Sequence, residues 1–151
     1  MSGPVMLDAN VLVYADDMMA GAKRTRACEV IRALNRSGLA VVTPQVLGEY
    51  WVVATLKLKR PVPVDEADLR VRLYLNTMRL IPYGAPVIIE AMRGARRYGF
   101  HYYDAQIWAA ALRTGVSTVL TEDFAVGSVI EGVRFLNPFA DDFDVQSLLD
   151  T

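Results

Sequence analysis

Residues 4–14 read Pro4-Val5-Met6-Leu7-Asp8-Ala9-Asn10-Val11-Leu12-Val13-Tyr14. A short apolar run ends in a carboxylate, and the apolar residues beyond Asn10 continue in a pattern that suits a helix. This stretch predicts a strand over residues 4–8, a sharp exit, and a helix over residues 11–15. No glycine-rich phosphate turn follows the strand, which argues against a nucleotide-binding module. Working outward, residues 22–35 place Ala27, Val30, Ile31 and Leu34 at three- and four-residue spacing, with Lys23, Arg24, Arg26 and Arg32 largely opposite. That is an amphipathic helix. Residues 39–42 form a brief buried strand, and Thr43-Pro44 supplies an N-cap and a first-turn proline for a helix running through Glu49 to about Lys57.

Pro61-Val62-Pro63 forces extended chain, after which Asp65 is expected to cap a helix that buries Leu69, Leu73 and Met78. A third strand is predicted at residues 79–82, and Pro86 opens a helix that reaches Tyr98 and ends at Gly99. Residues 103–114 form another helix closed by Gly115, followed by strands at residues 117–121 and 133–136. Short apolar strands alternating with helices imply an α/β fold. The expected architecture is three-layered, α/β/α, with a central, mainly parallel sheet and right-handed crossovers.

At 151 residues without repeats or a polar linker, the chain is expected to be a single domain over residues 1–151, large enough to fold without staples. The one cysteine, Cys28, has no internal disulfide partner, and no cysteine–histidine cluster has zinc spacing, which fits a reducing compartment. The N-terminus does not read as a signal peptide, and the apolar runs fall short of the ~20 residues that span a bilayer. A soluble cytoplasmic protein is expected, with no membrane partner. Hydrophobic residues make up 53% and charged residues 22%, oily for a free monomer, so an apolar partner surface is expected. The formal net charge of -1 means that nucleic-acid binding would need local basic clusters or bound cations rather than a global field.

In an open parallel sheet, functional groups gather where strands end and the chain turns into helices. Asp8 and Asp123 are predicted at such ends, Asp104 opens the helix before the strand that leads to Asp123, and Glu49 reaches in from a neighbouring helix wall. Four carboxylates brought together repel, so such a site needs raised carboxyl pKa values or bound divalent cations. An all-oxygen set suits Mg2+ or Mn2+, which orient phosphate oxygens and acidify a coordinated water, and phosphodiester hydrolysis follows. Asn10 adds a carbonyl acceptor and an amide donor to orient Asp8 or a water.

Leu7-Asp8-Ala9-Asn10-Val11-Leu12-Val13-Tyr14, Glu49, Tyr103-Asp104-Ala105 and Leu120-Thr121-Glu122-Asp123-Phe124 together resemble the PIN domain. The likeness is strongest to toxin nucleases of VapBC-type toxin–antitoxin pairs, and it covers essentially the whole chain. It implies endonucleolytic cleavage of RNA by metal-activated water, leaving a 5′-phosphate and a 3′-hydroxyl. It further implies a homodimer and a small antitoxin partner that occludes the site. By the match of motifs, Asp8, Glu49, Asp104 and Asp123 take catalytic and metal-binding roles, with Asn10 and Thr121 in support. His101-Tyr102-Tyr103 departs from the residues that many relatives carry before Asp104, which bears on base preference and not on metal binding.

Each aspartate taken singly is more often a turn former or a helix cap than a metal ligand. The joint pattern favours the site. Glu49 could be a solvated helix residue, but its neighbours Val46, Leu47, Tyr50 and Trp51 would make an unpaired carboxylate costly. Glu122 is the alternative to Asp123, while Asp16 and Asp17 are expected in solvent at a helix end. Clusters such as Arg93, Arg96 and Arg97, or Lys57, Lys59 and Arg60, are most often solvated faces, so neither is assigned to the site. His101 reads as a loop histidine, and Trp51, Trp108 and the tyrosines as core or dimer-face residues. A receiver-like aspartyl nucleophile would want a lysine near the later strand ends, and none is there. The remaining alternative is a catalytically weak PIN-like module that binds RNA or protein.

Overall fold

Strand β1 (Val5–Leu7) lies near the middle of a six-stranded sheet in the computed structural model of the chain, which describes residues 3–150. Met1, Ser2 and Thr151, expected within the single domain, lie outside the described residues. Helices α1 (Ala9–Asp16) and α2 (Ala22–Arg36) lead to β2 (Ala40–Val42). Helices α3 (Pro44–Leu56) and α4 (Val64–Thr77) then lead to β3 (Arg79–Leu80). Helices α5 (Ala85–Tyr98) and α6 (Tyr102–Thr114) return the chain to β4 (Thr118–Leu120), and a hairpin of β5 (Val129–Ile130) and β6 (Val133–Leu136) completes the sheet. A short 3-10 turn at Val145–Leu148 follows.

The strand order is β3-β2-β1-β4-β6-β5. All neighbours are parallel except β5, which pairs antiparallel with β6. Val5 is in register with Ala40 on one side and Thr118 on the other, and Thr118 with Arg134 beyond it. Strands β1 and β2 are buried at every position, as a sheet covered on both faces requires. Two successive β-α-α-β units step from β1 to β3 in one direction, and the next unit crosses back to β4. Right-handed crossovers therefore place α1 to α4 on one face and α5 and α6 on the other. The packing agrees: α1 contacts α2 and α3, α3 contacts α4, and α5 lies against α6. The three-layer, mainly parallel α/β reading holds.

Several local readings hold as well. Thr43 Oγ1 accepts the Val46 N–H at 3.2 Å, and Pro44 opens α3. Gly99 and Gly115 both end their helices in the left-handed conformation. Trp108, fully buried, forms the floor beneath α5, where a Cβ on Gly94 would stand 2.5 Å from its Cζ3 atom.

Three expectations are corrected. Helix α4 starts at Val64 with Pro63 before it, so Asp65 sits in the first turn rather than at the cap. Its buried face carries Ala67 and Tyr74, with Met78 just past the helix end, while Leu69 and Leu73 are 68% and 46% exposed. The cause is Tyr74, whose ring meets that of Tyr50 edge-on at 5.8 Å and sets the rotation of the helix. Asp16 is not in solvent: it accepts the Tyr50 hydroxyl and pairs with Arg70 at 3.1 Å, joining α1, α3 and α4. Among the described residues, no helix is long and apolar enough to cross a membrane.

Candidate functional site

The central neighbours β1 and β4 send their chains away on opposite courses, which makes the region beyond their C-terminal ends the switch point of the sheet. This is where an open α/β sheet places its ligands. Asp8 leaves β1 with its backbone N–H donating to Leu120 O at 3.0 Å, so the two strand exits are tied together. It is also the N-cap of α1: its Oδ1 accepts the Ala9 N–H at 2.7 Å. The other oxygen, Oδ2, accepts the Thr121 hydroxyl at 2.7 Å and the Asn10 amide at 3.4 Å. The capping reading of Asp8 therefore holds for Oδ1, while Oδ2 is bonded to Thr121 and Asn10.

Asn10 bridges the two exits. Its Nδ2 donates to Asp123 Oδ2 at 2.9 Å and lies 3.4 Å from Thr121 Oγ1, while its Oδ1 is buried without a donor. Thr121, fully buried, also accepts the Asp123 N–H at 3.2 Å. Asp104 occupies the first turn of α6, half-buried, and Glu49 projects from the second turn of α3. Glu49 is exposed and accepts from Gln45 Nε2 at 2.7 Å, so burial does not explain it, contrary to the cost argued from its apolar neighbours.

The electrostatics link these four side chains in a ring. Asp8 is 5% exposed, and its carboxyl is pushed from 3.8 up to about 6, chiefly by burial. Hydrogen bonds from Thr121 and Ala9 oppose the rise, and the charges of Glu49 and Asp123 add to it. Asp104 is raised by burial and again by Asp123 and Glu49, with His101 acting in the other direction. Each of the two more buried carboxylates thus feels both of the exposed ones. As they stand, no three Asp, Glu, His or Cys side chains among the described residues are drawn together closely enough to enclose an ion.

Glu122, the alternative to Asp123, is turned away from Asp8 and Asn10 and bound to Tyr14 and Lys23. Two residues not singled out from sequence border the site. Gln45, one turn before Glu49 and so on the same helix face, also donates to the Tyr103 carbonyl at 3.3 Å and lies 3.3 Å from the Tyr83 hydroxyl. The Tyr83 phenol is pushed up to about 12 by burial, with Glu49 and Asp8 adding to the rise. The i, i+4 spacing to Glu49 was the available signal for Gln45. Tyr83 lies in a connecting segment that gave none.

A family model described as the PIN domain matches residues 5–129. The chain belongs to the PIN-domain family. The match takes in β1 to the start of β5 and every residue of the carboxylate ring. No curated protein matches the chain in sequence. Among solved structures, this PIN domain is similar to VapC20 of Mycobacterium tuberculosis, described as a toxin that cleaves the sarcin-ricin loop. The TM-score is 0.65 at 16% identity, covering 84% of this chain and 97% of that one. It is similar also to a toxin–antitoxin complex from Klebsiella pneumoniae, with a TM-score of 0.65 at 19% identity over 89% and 98% of the two chains. A third relative is VapBC2 of Rickettsia felis, bound to a DNA fragment from its promoter, with a TM-score of 0.62 at 16% identity over 88% and 97%. At these identities the likeness is one of fold.

Proposed function

We propose that this PIN domain is a metal-dependent endoribonuclease of the cytoplasm and the toxin of a type II toxin–antitoxin pair. The observation that carries the chemistry is the ring of four carboxylates from four separate elements, with Asn10 bonded to two of them. Burying Asp8 beside two further carboxylates is costly unless a cation is present. The donor set is all oxygen and fits Mg2+ or Mn2+ better than softer metals. The donorless Asn10 Oδ1 leaves a buried acceptor beside the carboxylates that a polar ligand or water could satisfy. Asp8, Glu49, Asp104 and Asp123 would hold the cation.

A bound Mg2+ or Mn2+ would acidify a coordinated water and offset charge developing on the scissile phosphate. The remaining work falls to the protein. The Thr121 hydroxyl and the Asn10 amide donate to Asp8 Oδ2, which fixes that oxygen on the side of Asp123, while the Ala9 N–H holds the other oxygen at the start of α1. Asn10 does the same for Asp123. Gln45 steadies Glu49 and ties it to the backbone that carries Asp104. As the resemblance to PIN-domain nucleases implies, hydrolysis would leave a 5′-phosphate and a 3′-hydroxyl.

A small antitoxin and a homodimer are part of the proposal. The similar structures from Klebsiella pneumoniae and Rickettsia felis are toxin–antitoxin assemblies, which supports the first. Exposed Leu69, Leu73, Ile89 and Met92 leave apolar surface for partners. The test is RNA cleavage by purified protein with Mg2+ or Mn2+, stopped by a chelator and lost in Asp104→Asn without unfolding. A folded Asp104→Asn protein of equal activity would sink the site. RNA binding without cleavage would favour the binding-module alternative. Growth arrest on induction, relieved by a small co-expressed partner, tests the toxin role, and harmless expression of an active nuclease would contradict it.

A further inference from the structure

The segment leaving β4 alternates: Thr121 and Asp123 face Asp8 and Asn10, while Glu122 faces the opposite way. Its carboxylate is met there by groups from two other elements. The Tyr14 hydroxyl on α1 donates to Oε1, and Lys23 Nζ at the start of α2 pairs with Oε2 at 2.9 Å. Lys23 lies over the ring of Tyr14 at 4.9 Å and that of Phe139 at 5.9 Å, and these two rings meet edge-on at 4.9 Å. Glu122 is largely covered, with 17% of its side chain exposed.

Backbone bonds tie Thr121 to Leu136 at 3.0 Å and Gly127 to Phe135 at 2.9 Å, but among the described residues none reaches residues 122–124, so side chains must fix this stretch. Phe124, packed on Phe100 and Phe135 at 5.9 and 4.9 Å, anchors one side. Glu122 anchors the other, and Asp123 is the residue between them.

We propose that Glu122, held by Tyr14 and Lys23, is a positioning residue that keeps Asp123 turned toward Asn10 and the carboxylate ring. The inference rests on the metal-site reading above. Glu122 itself neither binds the cation nor touches the substrate. Loss of its two partners leaves Asp123 held by the Asn10 amide, the Thr121 hydroxyl and the Phe124 anchor on one side alone, so an entering cation must order the other side of the segment at its own expense. Outer partners of metal ligands typically govern 10–100-fold in affinity.

The experiment is Mn2+ titration, by calorimetry or by electron paramagnetic resonance of free Mn2+, on wild-type, Glu122→Ala, Glu122→Gln and Tyr14→Phe proteins, with a thermal melt of each in chelator. The expected result is a loss of affinity of about 10-fold or more in Glu122→Ala. Glu122→Gln keeps an acceptor for Tyr14 and should recover part of that loss, a rescue that a merely structural role would not give. Tyr14→Phe removes one hydroxyl, keeps the ring on Phe139 and should weaken Mn2+ at least threefold, so it decides the matter should Glu122→Ala fail to fold. Wild-type affinity in folded Glu122→Ala, or in Tyr14→Phe, would overturn the positioning role alone. A wild-type protein that binds no Mn2+ would overturn the metal reading and this role with it.

Discussion

Replacing Asp8 by asparagine should destroy activity and yet make the metal-free protein more stable. The buried carboxyl ionises at about 6 in the folded chain against 3.8 ordinarily. That gap, at ~1.4 kcal/mol per pH unit, means that an ionised Asp8 costs the fold about 3 kcal/mol at neutral pH. Below 3.8 the group is protonated in both states and costs nothing. Between 3.8 and about 6 the unfolded chain gives up its proton first, so stability falls as pH rises, and above 6 the full cost is in place. Asparagine keeps an oxygen for the Ala9 N–H but presents an amide to Asn10 and Thr121, a mismatch of about 1 kcal/mol. The net gain is about 1–2 kcal/mol, or about 2–8 °C in melting temperature for a domain of this size. The assay is thermal unfolding of both proteins in chelator at pH 7 and pH 4, repeated with Mn2+. At pH 4 the ionisation cost falls to about 0.5 kcal/mol, so the advantage of Asp8→Asn should vanish or reverse slightly, and it should reverse clearly in saturating Mn2+, which stabilises only a protein that binds it. An Asp8→Asn protein no more stable than wild type at pH 7 in chelator, or equally favoured at pH 4, would refute the reasoning.

Gly94→Ala should cost roughly 1–3 kcal/mol, because the new methyl meets the buried Trp108 ring and α5 must move off α6; chemical denaturation reads this directly. Met78→Ala should cost ~2–5 kcal/mol while Leu69→Lys changes unfolding by less than ~0.5 kcal/mol, the reverse of equal burial of the two residues. Asp16→Ala leaves Arg70 and the Tyr50 hydroxyl without their shared partner and should lower the melting temperature by several degrees, whereas Asp17→Ala, which loses only a local bond to the Met19 N–H, should lower it less. Mn2+ affinity should rise between pH 5 and pH 7, because the cation needs Asp8 and Asp104 ionised and burial raises both carboxyl pKa values; a flat profile would contradict this.

The parts of the fold that could be read from sequence are those decided by neighbours along the chain. The Thr43-Pro44 cap, the Gly99 and Gly115 stops and the exit at Asp8 depend on backbone chemistry within a few residues. Helix α4 shows where this fails. Ala67, Val71, Tyr74 and Met78 form one stripe at three- and four-residue spacing, and Leu69 and Leu73 belong to another. Contacts between residues far apart in sequence, Tyr50–Tyr74 together with Asp16–Arg70 and Trp51–Asp68, choose between them. Strand β5 was missed because it has two residues and its turn is Glu131-Gly132, not an asparagine–glycine pair. Both residues adopt positive φ, 49° and 85°, and Arg93 holds the Glu131 side chain at 2.8 Å.

The site divides in the same way. The aspartates at strand and helix ends could be placed because a parallel sheet puts such ends together. The outward turn of Glu122 and the exposure of Glu49 could not, since both depend on partners brought in by other elements. Asn10 was expected to orient Asp8, but its bond to Asp123 across the two strand exits emerges only in three dimensions.

The most direct trial of the whole account is anomalous diffraction from a crystal of the wild-type protein soaked in Mn2+. The account requires a peak between the ends of β1 and β4, with oxygens of Asp8 and of at least one of Glu49, Asp104 and Asp123 either within about 2.0–2.6 Å of it or bonded to a water that is. A saturated crystal with no peak there, or with the ion seated elsewhere on the protein, would contradict it.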